Sequence, residues 1–208
     1  MTAMRDIDDF LPEVLRFAPN ASDVVAQRFI LQAARDLCDR AKLWRETDRF
    51  QITTPTLQGV CTINDAAIVE IEAAYLDGAK LEPVQVSWLN REHPLWALET
   101  EETGTARYVT QMTPNTVTVY PAQSGTMTIM LVLKPSRDAF SLPDFLLEDY
   151  SEEIGRGAAG RMLTEPSSDN PQLGAAHLAW FEQKLNAIAL KATKGQQNAP
   201  PRTRGAYF

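Results

Sequence analysis

Residues 22–44 read SDVVAQRFILQAARDLCDRAKLW, the longest clean helical pattern in the chain. Ala26, Ile30, Ala33, Leu37, Ala41 and Trp44 recur at steps of three and four, which puts them on one face of a helix with 3.6 residues per turn. Ser22 stands where an N-cap is expected, and Asp23 places negative charge at the positive end of the helix dipole. On the polar side, Arg35/Asp39 and Asp36/Arg40 are four apart, the spacing of weak surface ion pairs. At ~1.5 Å per residue the rod would be about 33 Å long, enough to span a small domain. The pattern alone describes an amphipathic core helix, so other segments must cover its apolar face.

Working outward, residues 8–17 (DDFLPEVLRF) predict a short helix with Pro12 in its first turn, broken off by Ala18-Pro19-Asn20. Past residue 44 the pattern turns polar, and a β-like region begins at residues 51–54. In residues 68–76 (IVEIEAAYL) Val69, Ile71, Ala73 and Tyr75 alternate with Glu70 and Glu72, as on a two-faced strand. Asp77-Gly78 then predicts a tight hairpin into AKLEPV. Residues 116–120 (TVTVY) alternate strictly, and residues 127–133 are apolar on both faces, as in a central strand. Residues 87–99 interrupt this region as a short helix and a loop.

Helical periodicity returns near Leu142, with Pro143 and Asp144 opening a helix striped by Leu146, Tyr150, Ile154, Ala158 and Met162. Asn170 and Pro171 open a last helix, striped by His177, Phe181, Leu185, Ile188 and Ala192 with Trp180 alongside, and Gly195 closes it. The tail GQQNAPPRTRGAYF cannot be helical through Pro200-Pro201 and carries Arg202 and Arg204 with no acid. The two helical parts must meet to bury their stripes. The predicted class is therefore α+β. A helical-bundle body (residues 1–49 and 139–194) would carry an inserted antiparallel β-sheet or sandwich (50–138) and an extended tail (195–208).

The composition narrows the function. A net charge of −7 argues against a general grip on nucleic acid, which needs clustered Lys and Arg. With 44% apolar residues in 208, a packed core is expected. Cys38 and Cys61 are too few for a disulfide framework and read as reduced, buried thiols. No apolar run approaches the roughly 18 residues of a membrane span, and the acidic start MTAMRDIDDF has no signal-peptide core. The expectation is a soluble protein inside a cell.

Catalytic motifs are scarce. Residues 155–160 (GRGAAG) match G-x-G-x-x-G, but a charged, helix-periodic segment precedes them instead of a buried strand. They read better as small residues that let a neighbouring helix come close. His93 and His177 have no metal-ligand spacing around them, and no G-x-S-x-G nucleophile motif occurs. We therefore expect no enzyme activity, no metal and no cofactor. Glu99 to Glu102 and Glu148, Asp149, Glu152 and Glu153 read as solvated acidic faces. In the tail, two arginines able to fork onto carboxylates precede Tyr207 and Phe208, which can fill apolar pockets, the makings of a docking peptide.

Residues 11–46, the hairpin YLDGAKLEPV, the strand ending VTVYPA, the turn into LVLKPS, the helix LPDFLLEDYSEEIGRGAAGRML and the final helix with its tail together resemble bacteriophage head-to-tail connector (adaptor) proteins. That group includes the T7-like tail tubular protein A. The resemblance implies a non-catalytic structural virion protein of the neck. Copies would form a dodecameric ring under the portal protein, extend the channel for genomic DNA without sequence-specific binding, and offer a platform to the next tail or nozzle protein. No membrane is involved; assembly takes place in the host cytoplasm. By position, Arg202, Arg204, Tyr207 and Phe208 would dock to the portal. A ring subunit must also meet two neighbours, which makes Gln27, Arg35, Asp39 and Lys42 on the polar side of the 22–44 helix candidates for the subunit interface. The alternative is a soluble ligand- or protein-binding regulatory module whose β region holds the ligand. An enzyme would need a polar site converging on His93 or His177.

Overall fold

The computed structural model describes residues 2–53, 58–60, 63–98, 101, 104–165 and 170–194. In chain order the elements are β1 (Met4–Asp6), a 3₁₀ turn (Ile7–Phe10), α1 (Leu11–Leu15), α2 (Asp23–Ala41), β2 (Trp44–Ile52), β3 (Gln58–Gly59), β4 (Ala66–Leu76), β5 (Ala79–Lys80) and β6 (Glu82–Pro83). There follow α3 (Val86–Glu92), β7 (Tyr108–Thr110), β8 (Thr116–Tyr120), β9 (Gly125–Pro135), β10 (Ser141–Pro143), α4 (Asp144–Leu163) and α5 (Pro171–Lys194). The protein thus mixes α-helices with largely antiparallel sheets. It divides into two compact units: Trp44–Ser136, and Thr2–Leu43 together with the chain from Arg137 onward.

In the helical unit, α2 packs on α1, α4 and α5, and α4 lies against α1 and α5. Ala26, Ile30, Ala33, Leu37 and Ala41 are buried as their periodicity predicts, joined by Ala34 and Cys38. Phe10, Val14, Leu146, Ile154, Ala158, Phe181 and Leu185 complete the core. Each large apolar side chain removed from water there contributes roughly 1.5–3 kcal/mol.

Several expectations for α2 are corrected. It stops at Ala41, because Lys42 turns left-handed (φ 51°) and its amide closes on the Cys38 carbonyl. Trp44 is therefore buried as the first residue of β2 and does not end the helical stripe. Ser22 occupies the N-cap position but caps with its carbonyl, which accepts from the Ala26 amide, and its hydroxyl makes no capping bond. The expected Asp36/Arg40 pair gives way to links between helices. Arg161 on α4 donates to Asp36 (2.5 Å), and Arg40 donates to Glu182 (2.5 Å) and Asn186 (2.7 Å) on α5.

The helix expected over residues 8–17 forms as the 3₁₀ turn plus α1, with Pro12 in the first turn. The stripe of α4 is interrupted, since Tyr150 leaves helical geometry (φ −134°, ψ 17°) and is only half-buried between the buried Leu146 and Ile154. A two-stranded sheet of β1 and β10, which sequence periodicity did not announce, pairs Met4 with Pro143 and Asp6 with Ser141. Gly195, the expected end of α5, lies outside the described residues.

The β unit holds two four-stranded sheets, β2-β9-β4-β5 and β3-β8-β7-β6. As expected, the doubly apolar β9 is central, between β2 and β4. The hairpin forms at Asp77 (φ 49°) and Gly78 (φ 82°), two left-handed residues in a row, as a type I′ turn requires. Val117 and Val119 are the buried half of the alternation in β8. Residues 87–98 supply α3 and a turn, as expected. Three details differ. The pairing of β6 with β7 is parallel. Strand β2 begins at Trp44, ahead of the expected start. Register shifts in β4 between Ile68 and Glu70, and again between Ile71 and Ala73, switch the inward parity, so Ala74 and Leu76 are buried and Tyr75 is only half-buried.

Candidate functional site

The G-x-G-x-x-G segment lies inside α4, where its glycines are contact points between helices. A Cβ on Gly155 would fall 2.9 Å from the Glu13 Cβ and carbonyl oxygen, against α1. On Gly157 it would meet the Phe181 ring at 3.0 Å, and on Gly160 the Leu178 amide nitrogen at 3.0 Å, both on α5. A Cβ on Gly174 of α5 would in turn fall 2.8 Å from the Leu163 carbonyl carbon on α4. The close-approach reading of these residues therefore holds, at a cost of roughly 1 kcal/mol per glycine in helix propensity.

An aromatic and cationic group assembles beside this seam. The Arg156 guanidinium lies over the Trp180 ring (4.2 Å) and the Phe17 ring (5.0 Å). It also bridges to Glu152 at 2.8 Å, while its Nε is buried without a partner. His177 meets Phe17 edge-on at 5.1 Å, and Lys184 lies 5.2 Å from the centre of the Trp180 ring. Burial, helped by the Arg156 charge, holds the His177 pKa below its ordinary value. Sequence reasoning placed His177 and Trp180 on one helix but missed this group, which three segments build together. The signal available was the spacing of His177, Trp180, Phe181 and Lys184 at three and four.

In the β unit, His93 joins a different aromatic group, 4.9 Å from Tyr120, 6.0 Å from Trp88 and 6.3 Å from Tyr108. A cleft of about 480 Å³ in the same unit is lined by Ile68, Ile71, Val84, Val109 and Val117, with Glu70, Thr110 and Asn115 among its polar groups. Cys38 is fully buried in α2, and burial pushes its thiol up to about 12, so it is a protonated core residue. Burial also raises the Asp36 carboxyl, against the pull of Arg161. Among the described residues no set of three His, Cys, Asp or Glu side chains is grouped to hold a metal ion. No helix there is long and apolar enough to cross a membrane.

Of the expected subunit-interface residues, Gln27, Arg35 and Lys42 are half-buried and Asp39 is exposed. The Gln27 amide donates to Asp8 within its own chain. The expected docking residues Arg202, Arg204, Tyr207 and Phe208, and also Cys61, lie outside the described residues. Glu148, Asp149 and Glu152 are exposed, as a solvated face would be, and Glu153 is half-buried.

The helical unit has its own groove, of about 510 Å³, where the Phe17–Ser22 loop, the first turn of α2, the end of α4 and the start of α5 come together. Phe17, Val25, Met162, Leu163 and Leu173 supply its apolar walls, and Glu165 is the one charged residue among the described lining. Val25 and Leu173 are each 42% exposed. No protein-family model matches the chain, and no curated protein matches it.

Proposed function

We propose that this chain is a head-to-tail adaptor of the bacteriophage connector type. The observation that carries the reading is the order of parts along the chain: helices, one uninterrupted β unit, helices again, then a basic and aromatic tail. That order accompanies the sequence resemblance over nearly the whole length. In this reading the helices form a bundle body and the β unit is a subdomain inserted into it. The body builds a dodecameric ring through the α2 face bearing Gln27, Arg35, Asp39 and Lys42. Arg202, Arg204, Tyr207 and Phe208 dock to the portal. The ring prolongs the DNA channel and presents a platform to the next tail component, and no catalysis is assigned.

The test mixes the chain, full-length and cut at Gly195, with the portal protein of the same phage. The full chain should comigrate with the portal in gel filtration and the cut chain should not. Equal association of both forms removes the tail-docking role.

The β-unit cleft favours a second reading, a ligand- or protein-binding regulatory module. A small-molecule screen that raises the melting temperature without any portal present, with the rise lost on Ile71→Asp, would select that reading over the first.

A further inference from the structure

We propose that the helical-unit groove is the seat of the chain's own tail, with Tyr207 and Phe208 filling it and Arg204 at its rim beside Glu165. The groove has apolar walls and one acidic lining residue, Glu165, and the tail offers complementary chemistry: an arginine, two small residues and two aromatics. Aromatic side chains bring the largest apolar area into such a pocket, and a volume of about 510 Å³ is in the range that accepts a drug-sized group. The exposed Val25 and Leu173 are the surfaces that such a plug would cover.

Reach decides between this occupant and a remote one. The groove lies at the start of α5 and the tail departs from its end. From Leu173 to Lys194 the helix advances ~32 Å at ~1.5 Å per residue. From Lys194 to Tyr207 an extended chain covers about 40 Å or slightly more, at ~3.1–3.3 Å per residue. The tail is thus long enough to run back along α5 and enter the groove, with about two or three residues' slack. Pro200-Pro201 disfavours helix along such a path, since proline lacks the amide donor a helix interior needs. The seat would hold the aromatic pair out of water until a partner with a better pocket withdraws it. The inference stands apart from the adaptor reading, since it concerns one chain in solution.

The experiment uses full-length chains and a fluorescent peptide of residues 195–208. A chain carrying Tyr207→Ser and Phe208→Ser leaves the groove open and should bind the peptide. The unaltered chain should bind it about tenfold more weakly, because a tethered tail competes at an effective concentration on the order of 1 mM against a peptide Kd of about 100 μM. Adding Val25→Asp and Leu173→Asp to the open chain should abolish binding. Should that variant melt early, Glu165→Arg, at an exposed position, should weaken binding, and most strongly at low salt, where its repulsion of Arg204 is least screened. Equal peptide binding by open and unaltered chains, no binding by the open chain, or binding indifferent to all three groove substitutions would overturn the proposal. Tail-dependent self-association that rises with concentration would place the tail in a second copy and overturn the intramolecular form. No portal is present, so a negative result here leaves the test of the adaptor reading intact.

Discussion

Gly155→Ala pits two effects of opposite sign against each other. Alanine in place of a glycine inside a helix is worth about 1 kcal/mol in propensity, so on local grounds the variant should be more stable. The packing predicts the reverse. The new methyl would sit 2.9 Å from both the Cβ and the carbonyl oxygen of Glu13, where ordinary contacts begin at 3.4 Å. The obstacle is mostly backbone, so no side-chain rotation relieves it. Moving α1 away by about half an ångström would loosen Val14 and Phe10, both fully buried. Overpacking of this kind costs about 1–3 kcal/mol, and the immobile neighbour argues for the upper part of that range. The net expectation is a loss of about 1–2 kcal/mol, or about 3–6 °C in Tm for a chain of this length. Thermal and urea melts followed by far-ultraviolet circular dichroism would read it. Ala176→Gly, at an exposed position of α5, calibrates the propensity alone and should lose about 1 kcal/mol. If Gly155→Ala melts at or above the wild-type temperature, close approach of α1 does not explain this glycine.

Acid should destabilise the helical unit through His177. Its folded pKa is held below the unfolded value of about 6.5, so the stability it contributes is present above that value and is lost as the pH falls through the folded pKa. The wild type should therefore lose more Tm between neutral and mildly acidic pH than His177→Gln, and equal losses would exclude the histidine as the cause. In a Cys61→Ser background, Cys38 should ignore a thiol reagent while folded and react fully in guanidinium; rapid labelling of the native protein would contradict its placement. Gly78→Ala should cost about 1 kcal/mol, since an L side chain is strained at φ 82°, and a melt unchanged within error would rule out the type I′ turn.

Sequence reasoning reached what is locally encoded. The α2 stripe, the doubly apolar β9, the Asp77-Gly78 turn and the small residues of α4 each carry their cause within a few positions. What it missed depends on partners far along the chain. Strand β2 looks like a polar loop because the charged Asp48 is one of its inward residues, and its place in the sheet is set by pairing with β9, far along the chain. Three-residue strands such as β1 and β10 have no periodicity to read and exist only because Arg5 and Leu142 come to lie side by side. The bulges of β4 shift parity without any glycine or proline to announce them. The same holds for the sites. The Arg156 group and the helical-unit groove each draw on α4, α5 and the segment after α1, which only the fold brings together. The tail chemistry itself was readable directly.

The pairing of Trp44 with Leu133 has a consequence for how the chain folds. These two residues sit near the entry and exit of a stretch of roughly ninety residues, and partners in an antiparallel ladder are only ~5 Å apart. For α1 and α2 to find α4 and α5 across an unfolded stretch of that length would cost about 4 kcal/mol in loop-closure entropy. Once β2 has zipped onto β9, the same search spans a link that behaves like a few residues, and about 3 kcal/mol of that cost is gone. The β2–β9 ladder and the glycine seam between the helices close the same stretch of chain, so whichever forms first lowers the entropic cost of the other.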